Sequence, residues 1–580
     1  MSTVRALLGW VRGRPATLAI ACLAISWGVV MHTMGWAQLA HFAEVRALAG
    51  GEKTIDRWHW ETGDVAWIDG HYYSVKSPGM AAVAAPLYLL IDATGGREAA
   101  ADAAGTASRA SEPRWVPNDG PPYASYGYDE KRALRVQERV ENETPVVWVL
   151  TLLAAVIPSA LLLLMVRRVG DRLEPGYGTA AAITLGAGTI LMVFAAEFFS
   201  HAISAALGFA AFAVLFRERA GPPRSRLVAL AGLLAGLGVT FEFQVGLVGV
   251  VLFLYAIARR GAVGRGLAYA GGAFAGALPV VAFNAWTLGE PLKLAYSHAV
   301  AVLGSSGHFA MGLNSDGFFG ITAPRWDAAR DLLVAGRGLL VLTPIVVMGV
   351  VGIVFMHRRG HRAEAWAVAG VVGAYFLYNA GYWQPFGGGT PGPRFMIPAL
   401  PFLALGFAFA YRRLPATTLA LAVPSALWML AASITYPLIG DEGTGVWVDD
   451  LRQGVLEHTL LTVFGVHPNW LAILPVLLAL LAAIGFAALA TPAPRALARH
   501  DLATALAAVG AWVVVATFGP SLTGEFNTPL DDSVSSLVLI GGGAVAGLVA
   551  VAALWRVLPR RRGAQGSAVT TELAFGDRSS

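Results

Sequence analysis

Apolar runs of about 20 residues, separated by short polar or charged segments, recur along the 580-residue chain between residues 15 and 558. A helix needs about 20 apolar residues to cross the hydrocarbon core of a bilayer. The runs that fit this length lie at residues 15–37, 145–166, 177–197, 201–216, 227–241, 244–258, 267–288, 338–356, 363–382, 395–411, 416–437, 470–490, 502–519 and 535–556. The pattern predicts an all-α polytopic membrane protein, a bundle of about fourteen transmembrane helices.

One further apolar run, residues 79–91, is too short to cross a bilayer and contains Pro86. We predict a juxtamembrane or re-entrant helix there, within a long first connection at 38–144. The middle of that connection, 113–128, is rich in Pro, Gly, Tyr and Asp and predicts a loop or lid. The charged segment 129–143 predicts a helix that leads into the second span.

Charge supports this arrangement of spans, because Lys and Arg concentrate in the cytoplasmic connections of membrane proteins. With fourteen spans, 25 of the 42 basic residues but only 7 of the 37 acidic residues fall on the side that holds both termini. The sequence therefore predicts cytoplasmic termini. Its richness in alanine, glycine, valine and arginine is typical of a GC-rich bacterial genome, so we expect a bacterial inner membrane. The long connections then lie on the extracytoplasmic side, at 38–144, 289–337, 383–394, 438–469 and 520–534.

Composition excludes several classes of protein. With 56% hydrophobic and 14% charged residues, the chain is too apolar for an ordinary soluble enzyme of its size. The single cysteine, Cys22, excludes a disulfide framework and a cysteine-based metal site. The net charge of +5 follows the membrane topology and does not indicate nucleic-acid binding.

The first long connection holds the densest set of chemically active side chains. Glu44, Asp56 and Asp64 are carboxylates that can take a proton from a hydroxyl group. Lys76 can hold a phosphate as a point charge. The alternative is an interfacial aromatic belt with ordinary solvated charges, which the tryptophans at 58, 60 and 67 fit equally well.

Other candidates lie at the ends of predicted spans. Glu242 lies between two apolar runs, either exposed at the apex of a tight outer hairpin or within the membrane, where a carboxylate is costly and usually faces a cavity. Glu197 and His201, four residues apart, share one helical face and form either a local structural pair or part of a site. Two ligands do not make a zinc site, so no metal is predicted, with a divalent ion as the lesser alternative. The glycine run at 387–389 and Arg394 suit an anion.

Several short motifs occur in one order and on one side of the predicted membrane: residues 69–79, 197–201, 231–242, Asn284 with 289–292, and 387–395. In this order they resemble the GT-C superfamily of integral-membrane glycosyltransferases. The similarity is to bacterial families that use polyprenyl-phosphate-linked sugars, the relatives of protein O-mannosyltransferase and aminoarabinose transferase. It covers residues 15–413, which we therefore expect to be a GT-C-like catalytic region. Residues 414–562 would add further transmembrane helices, and 563–580 a disordered cytoplasmic tail.

The resemblance implies a hexosyl- or pentosyltransferase that moves a sugar from a polyprenyl-phosphate donor to an extracytoplasmic glycan, lipid or protein. Membrane lipids, but no nucleic acid and no certain cofactor, would be its other partners. Glu44, Asp56 or Asp64 would act as the catalytic carboxylate. The implied substrate-binding residues are Asp69, Tyr72, Tyr73, Lys76, Glu197, His201, Glu242 and Arg394.

The chain departs from the family where its acceptor-activating acid is expected, because Gln38 or its neighbours occupy that place. A carboxamide does not accept a proton near neutral pH, so another carboxylate has to serve. Two alternatives remain: a transporter or flippase, which fourteen spans would suit, and a catalytically inactive scaffold of the same fold. A transporter normally needs polar groups deep in several helices, and this sequence has few.

Overall fold

The computed structural model describes residues 13–32, 34–110, 130–301, 310–311, 317–439, 443–494, 497–523 and 534–557, with the side chains of 110, 130–137, 301, 310 and 311 excepted. Helices dominate these residues. In the first half of the chain they are Pro15–Val29, Trp36–Ala49, Gly79–Ala93, Gly96–Ala110, Glu130–Thr151, Ile157–Leu173, Gly178–Gly188, Leu191–Phe194, His201–Arg219, Ser225–Phe241, Val245–Ile257 and Ala262–Leu288. In the second half they are Trp326–Val334, Leu339–Leu342, Val346–Arg358, Arg362–Gly381, Leu400–Arg413, Pro415–Ile434, Gly445–Gln453, Asn469–Ala490, Arg499–Phe518 and Val534–Val557.

Eight of the described helices are long and apolar enough to cross a membrane, or up to ten if each of two bent helix pairs counts as one span. This is compatible with the predicted multi-pass membrane protein. The total of about fourteen spans stays a prediction. Three further apolar helices, Pro15–Val29, Ser225–Phe241 and Val245–Ile257, have only 13 to 17 residues. At 1.5 Å per residue, they are shorter than the roughly 30 Å hydrocarbon core.

The predicted first span, 15–37, is wrong at its carboxyl end. Its helix ends at Val29, and Val30–Met31 form strand β1. This strand pairs antiparallel with His458–Thr459, strand β6. Backbone groups that pair with a distant segment cannot also continue the helix, so the chain turns and starts a new helix at Trp36.

Two other predicted spans are also interrupted. Residues 177–197 form the helix Gly178–Gly188 and then a single turn at Leu191–Phe194. Residues 338–356 break at residues 343–345, where the helical segments on either side are bent by 86°. Hydropathy alone did not reveal these breaks because the interrupting residues are themselves mostly apolar.

Both segments of the first long connection that the sequence predicts as helical are helices, while the place of the first one at the membrane stays a prediction. Residues 79–91 lie in the helix Gly79–Ala93, and the charged segment lies in Glu130–Thr151, which leads into Ile157–Leu173 through a π-helical turn. The helix Gly96–Ala110, bent by 88° from the one before it, was not predicted. The predicted loop at 113–128 lies outside the described residues.

The long connections gather at one end of the bundle. A four-stranded sheet, in the order β3-β2-β4-β5, joins the first to the second, with β2 at Val65–Ile68, β3 at His71–Ser74, β4 at Ala299–Ala301 and β5 at Ala310–Met311. The β-bridge between Ile321 and Tyr382 joins the second to the third. The guanidinium of Arg337 donates to the carbonyls of Gly388 and Ile439 and so reaches the fourth. The helix Trp326–Val334 packs against the fifth at Pro520–Leu522.

The short basic connections meet at the other end. Glu174 accepts hydrogen bonds from Arg359 at 3.3 Å and from Arg412 at 2.6 Å. Glu218 accepts two from Arg265, at 2.7 and 2.8 Å. The connections therefore sort into the two groups that the sequence predicts, whichever group faces the cytoplasm.

Helices after residue 414 are not a separate layer. Asn469–Ala490 packs along the first helix, Pro15–Val29, and Pro415–Ile434 packs against Gly178–Gly188. The division at 413 therefore marks the end of the resemblance rather than a break in the packing. The predicted tail, 563–580, lies outside the described residues.

Candidate functional site

A β-hairpin in the first long connection positions Lys76. Strands β2 and β3 are joined by Asp69 and Gly70, whose φ angles of 51° and 86° are those of a tight hairpin turn. Because the strands pair in register, the residue before β2 lies beside the residues that follow β3. Asp64 thus meets Lys76, with Oδ2 of the carboxylate 2.6 Å from Nζ.

Arg394 reaches the same place from the third long connection. The preceding loop turns at Gly387 and Gly388, whose φ angles are 81° and 106°, and Arg337 holds the carbonyl of Gly388 at 2.8 Å. The Arg394 guanidinium lies over the rings of Phe199 and Phe395, at 5.2 and 5.3 Å from their centres. Among the described residues its side chain has no hydrogen-bond or ion-pair partner. Asp64 and Glu242 act on it only at a distance, so within the described ranges it is a cation without a directly bound anion.

Lys76, Arg394 and Asp64 act on one another electrostatically. Burial would raise the pKa of Asp64, but the ammonium of Lys76 and then the guanidinium of Arg394 outweigh it, and the pKa falls below its usual range. Burial lowers the pKa of Lys76, opposed by Asp64 and assisted by Arg394. The pKa of His41 lies well below its usual range. Burial is the main cause, and the nearby positive charges of Lys76 and Arg394 lower it further. These four side chains form a group that we call the phosphate cluster, after the ligand that the sequence predicts for Lys76 and Arg394.

Glu242 borders the phosphate cluster, and neighbouring side chains hydrogen-bond to both of its carboxylate oxygens. Its carboxylate accepts hydrogen bonds from Ser200 and Ser204, both at 3.0 Å, and from Gln244 at 3.3 Å, and it contacts Nδ1 of His201. The imidazole of His201 stacks on Phe199, the ring that also carries Arg394. Glu242 and His201 therefore brace the wall behind Arg394 rather than facing open space.

Glu44 lines a cleft beside the phosphate cluster. The cleft has a volume of about 490 Å³, part of it open solvent, and its walls include Glu44, Tyr73, Lys76 and Asn284. Glu44 is 5% exposed, and burial raises the pKa of its carboxyl well above the usual range. Of the three predicted catalytic carboxylates, Glu44 alone lines this cleft.

The other predicted residues of the first connection serve the hairpin. Asp56 accepts hydrogen bonds from the Tyr72 amide at 2.6 Å, from His71 at 2.7 Å and from Thr54 at 3.0 Å. Burial opposes these bonds, but together they lower the pKa of Asp56 below its usual range. Tyr72 stacks on His59, and Asp69 occupies the turn with 86% of its side chain exposed. These three lie outside the phosphate cluster.

Gln38 and Glu197 form a second polar group, one helical turn before His41 of the phosphate cluster. The Gln38 amide donates to Glu197 at 2.6 Å and accepts from the Gly35 amide at 3.0 Å. Nδ1 of His32 lies 3.8 Å from the Glu197 carboxylate. Gln38 thus caps its own helix and anchors a buried acid, which accounts for a carboxamide at that position.

Sequence reasoning did not assign His41, Tyr378 or Tyr382 to the site. Tyr378 stacks on Tyr382, and each ring contacts Phe395 next to Arg394. The spacing of these tyrosines by four residues at the end of a predicted span was the available signal, but it also fits an interfacial aromatic belt. His41 lies one helical turn after Gln38, in the segment where the sequence departs from the family.

No three His, Cys, Asp or Glu side chains come together as metal ligands within the described part of the chain. His201 and Glu242 form a pair without a third ligand. The chain matches no protein-family model, no curated protein and no solved structure.

Proposed function

We propose that this protein is a glycosyltransferase that takes a sugar from a polyprenyl-phosphate donor and transfers it to an acceptor on the extracytoplasmic side of a bacterial inner membrane. The observation that carries the proposal is the unpaired guanidinium of Arg394 beside Lys76. Both residues were chosen from the sequence as phosphate ligands, and they come together from connections more than 300 residues apart.

The charges favour an anionic ligand. Asp64 faces Lys76, and four neighbours already satisfy Glu242, so the guanidinium of Arg394 is left over. A half-buried cation without an anion is costly, and a bound phosphate would remove that cost. A sugar phosphodiester carries one negative charge and gains a second when the sugar leaves. Lys76 and Arg394 would stabilise that developing charge, which lowers the barrier to transfer.

The position of the phosphate cluster suits a lipid-borne donor. It lies at the end of the bundle that holds the long connections, beside a cleft with one wall on the helix Ala262–Leu288. Other faces of this helix expose Leu267 and Phe274, as expected for a surface that meets acyl chains. A polyprenyl tail can stay in the bilayer while its phosphate reaches Lys76.

The test uses the full-length protein in lipid nanodiscs free of sugar detergents. Undecaprenyl phosphate binding is measured by native mass spectrometry, and transfer is measured with synthetic undecaprenyl-phosphate hexoses and pentoses. We expect Lys76→Ala and Arg394→Ala each to weaken binding at least tenfold, and Lys76→Arg to recover part of it because a point charge matters more than shape. Lys293→Ala is the matched control, since Lys293 lies near Asp69 and Glu290 on the same end of the bundle.

Equal binding by Lys76→Ala, Arg394→Ala and the wild type would overturn the proposal. Phosphate binding that depends on both residues, with no transfer from any of the donors, would also overturn the transferase assignment and favour the inactive scaffold. Movement of the intact lipid-linked sugar across the bilayer of a proteoliposome would instead favour the flippase.

A further inference from the structure

Two buried polar side chains face the cleft without any hydrogen-bond partner among the described residues. They are Glu44, on the helix Trp36–Ala49, and Asn284, on the helix Ala262–Leu288. Glu44 is 5% exposed and Asn284 is 6% exposed. Buried carboxylates and carboxamides are nearly always hydrogen-bonded, and an exception needs an explanation. A ligand that satisfies both groups would supply one.

Three other polar side chains of the cleft already have a hydrogen-bond or ion-pair partner in the protein. Ser74 accepts a hydrogen bond from the Lys76 amide at 3.1 Å. Thr287 donates to the carbonyl of Phe283 at 2.8 Å, and Glu52 pairs with Arg57 at 3.0 Å. Glu44 and Asn284 are therefore available to a ligand in a cleft that also contains Lys76.

We propose that Glu44 and Asn284 form the acceptor subsite, that they bind a sugar hydroxyl, and that Glu44 takes the proton of that hydroxyl. This inference rests on the proposed function, and it names the class of acceptor. A hydroxyl donates to Glu44 and accepts from the amide of Asn284, so one group satisfies both side chains. The rest of the wall is largely apolar, including Phe243 and Phe283, which suits the carbon faces of a sugar.

The alternatives to Glu44 as proton acceptor are weaker for physical reasons. Asp56 already accepts three hydrogen bonds and lies outside the cleft. Asp64 forms an ion pair with Lys76, and a carboxylate with a lowered pKa is a weak base. Glu44 has no cation partner among the described residues, and burial raises its pKa well above the usual range, which makes its carboxylate a stronger base than that of Asp64.

The step balances as a single displacement. The acceptor O–H bond breaks, its proton passes to the Glu44 carboxylate, and the oxygen forms a bond to the anomeric carbon. The bond from that carbon to the phosphate oxygen breaks, and its electron pair leaves with the phosphate toward Lys76 and Arg394. Attack opposite the leaving group inverts the anomeric carbon, so base and phosphate ligands must stand on opposite sides of the sugar.

The experiment uses the full-length protein in nanodiscs, with undecaprenyl-phosphate hexose as donor and n-octyl glucoside as acceptor probe. We expect Glu44→Gln to lower kcat by about 10² to 10⁴, as for loss of a general base. Asn284→Ala should raise the KM for octyl glucoside by about five- to tenfold, with a smaller change in kcat. Neither substitution should change the affinity for undecaprenyl phosphate. Glu290→Gln, at an exposed glutamate outside the cleft on the same end of the bundle, is the control and should behave as the wild type.

Failures of the two proposals give different results. If the wild type neither binds undecaprenyl phosphate nor transfers sugar, the proposed function fails. If the wild type transfers sugar and Glu44→Gln and Asn284→Ala do so with unchanged kinetics, the acceptor subsite is wrong and the proposed function stands. If Glu44→Gln no longer binds undecaprenyl phosphate, its kcat does not report on the base, and Glu44→Asp is measured in its place. Aspartate keeps the charge but withdraws the carboxylate from the acceptor, so a wild-type kcat in this variant would also overturn the subsite.

Discussion

Replacing Asp64 by asparagine distinguishes a counterion from a general base. In the structure Asp64 pairs with Lys76, the residue that we expect to hold the donor phosphate. Asparagine keeps the shape and removes the charge. If Asp64 is only a counterion, the substitution should strengthen phosphate binding, because a negative charge beside the ligand disappears.

The size of this effect follows from the geometry. Nζ of Lys76 lies 2.6 Å from Oδ2 of Asp64, and a phosphate oxygen bound to the same nitrogen would lie about 2.8 Å from it. The two negative charges are then at most about 5.4 Å apart. Coulomb's law gives a repulsion of about 0.8 kcal/mol at a dielectric constant of 80 and about 3 kcal/mol at 20. Asp64→Asn should therefore tighten binding between about fourfold and about 140-fold.

The assay is undecaprenyl phosphate binding by native mass spectrometry, followed by transfer kinetics with the same preparation. Asp69→Asn is the matched control, because Asp69 is an exposed carboxylate in the same hairpin and asparagine tolerates its positive φ. We expect tighter binding for Asp64→Asn, with kcat lowered by less than about tenfold. Weaker binding would refute the electrostatic argument. A fall in kcat of about 10² or more would show that Asp64 is the base and that the assignment of Glu44 is wrong.

The remaining predictions concern pH, stability and topology. Burial raises the pKa of Glu44, so its carboxylate forms only as the pH rises through that raised value. The transfer rate should therefore increase with pH over a range above the usual one for a glutamate. The Glu44→Gln variant should lose this rise in its pH profile. Glu218→Gln breaks a buried pair with Arg265 and should cost about 3 to 5 kcal/mol of stability, while the rate per folded molecule, measured with thermal unfolding, stays unchanged. Topology is tested with an impermeant thiol reagent on intact spheroplasts, after Cys22 has been replaced by serine. A cysteine in place of the exposed Glu290 should react, and a cysteine in place of the exposed Ser225 should not. The reverse labelling would place the phosphate cluster on the cytoplasmic side.

Much of the architecture was predictable because the bilayer imposes a simple rule on composition. Apolar runs gave the helical membrane class, and the counts of basic and acidic residues sorted the connections into the two groups that meet at opposite ends of the bundle. The hairpin was not predicted, although Asp69 and Gly70 are residue types that accept the positive φ angles of its turn.

Other features depend on partners that are distant in sequence. The first span ends at Val29 because β1 pairs with β6, more than 400 residues later, and nothing within residues 15–37 records that pairing. The role of Gln38 also depends on a distant partner, because its amide donates to Glu197, 159 residues later in the chain.

The choice among the three carboxylates also needed the tertiary structure. In the sequence, tryptophans flank Asp56 and Asp64 and favour them as candidates, whereas Glu44 fits a continuation of the helix that leaves the membrane. In the fold, local hydrogen bonds occupy Asp56 and a lysine neutralises Asp64, while Glu44 is buried against the cleft. A sequence determines which side chains can ionise, but only packing decides which of them lose water and which find a partner, and those two conditions set how strongly each one takes a proton.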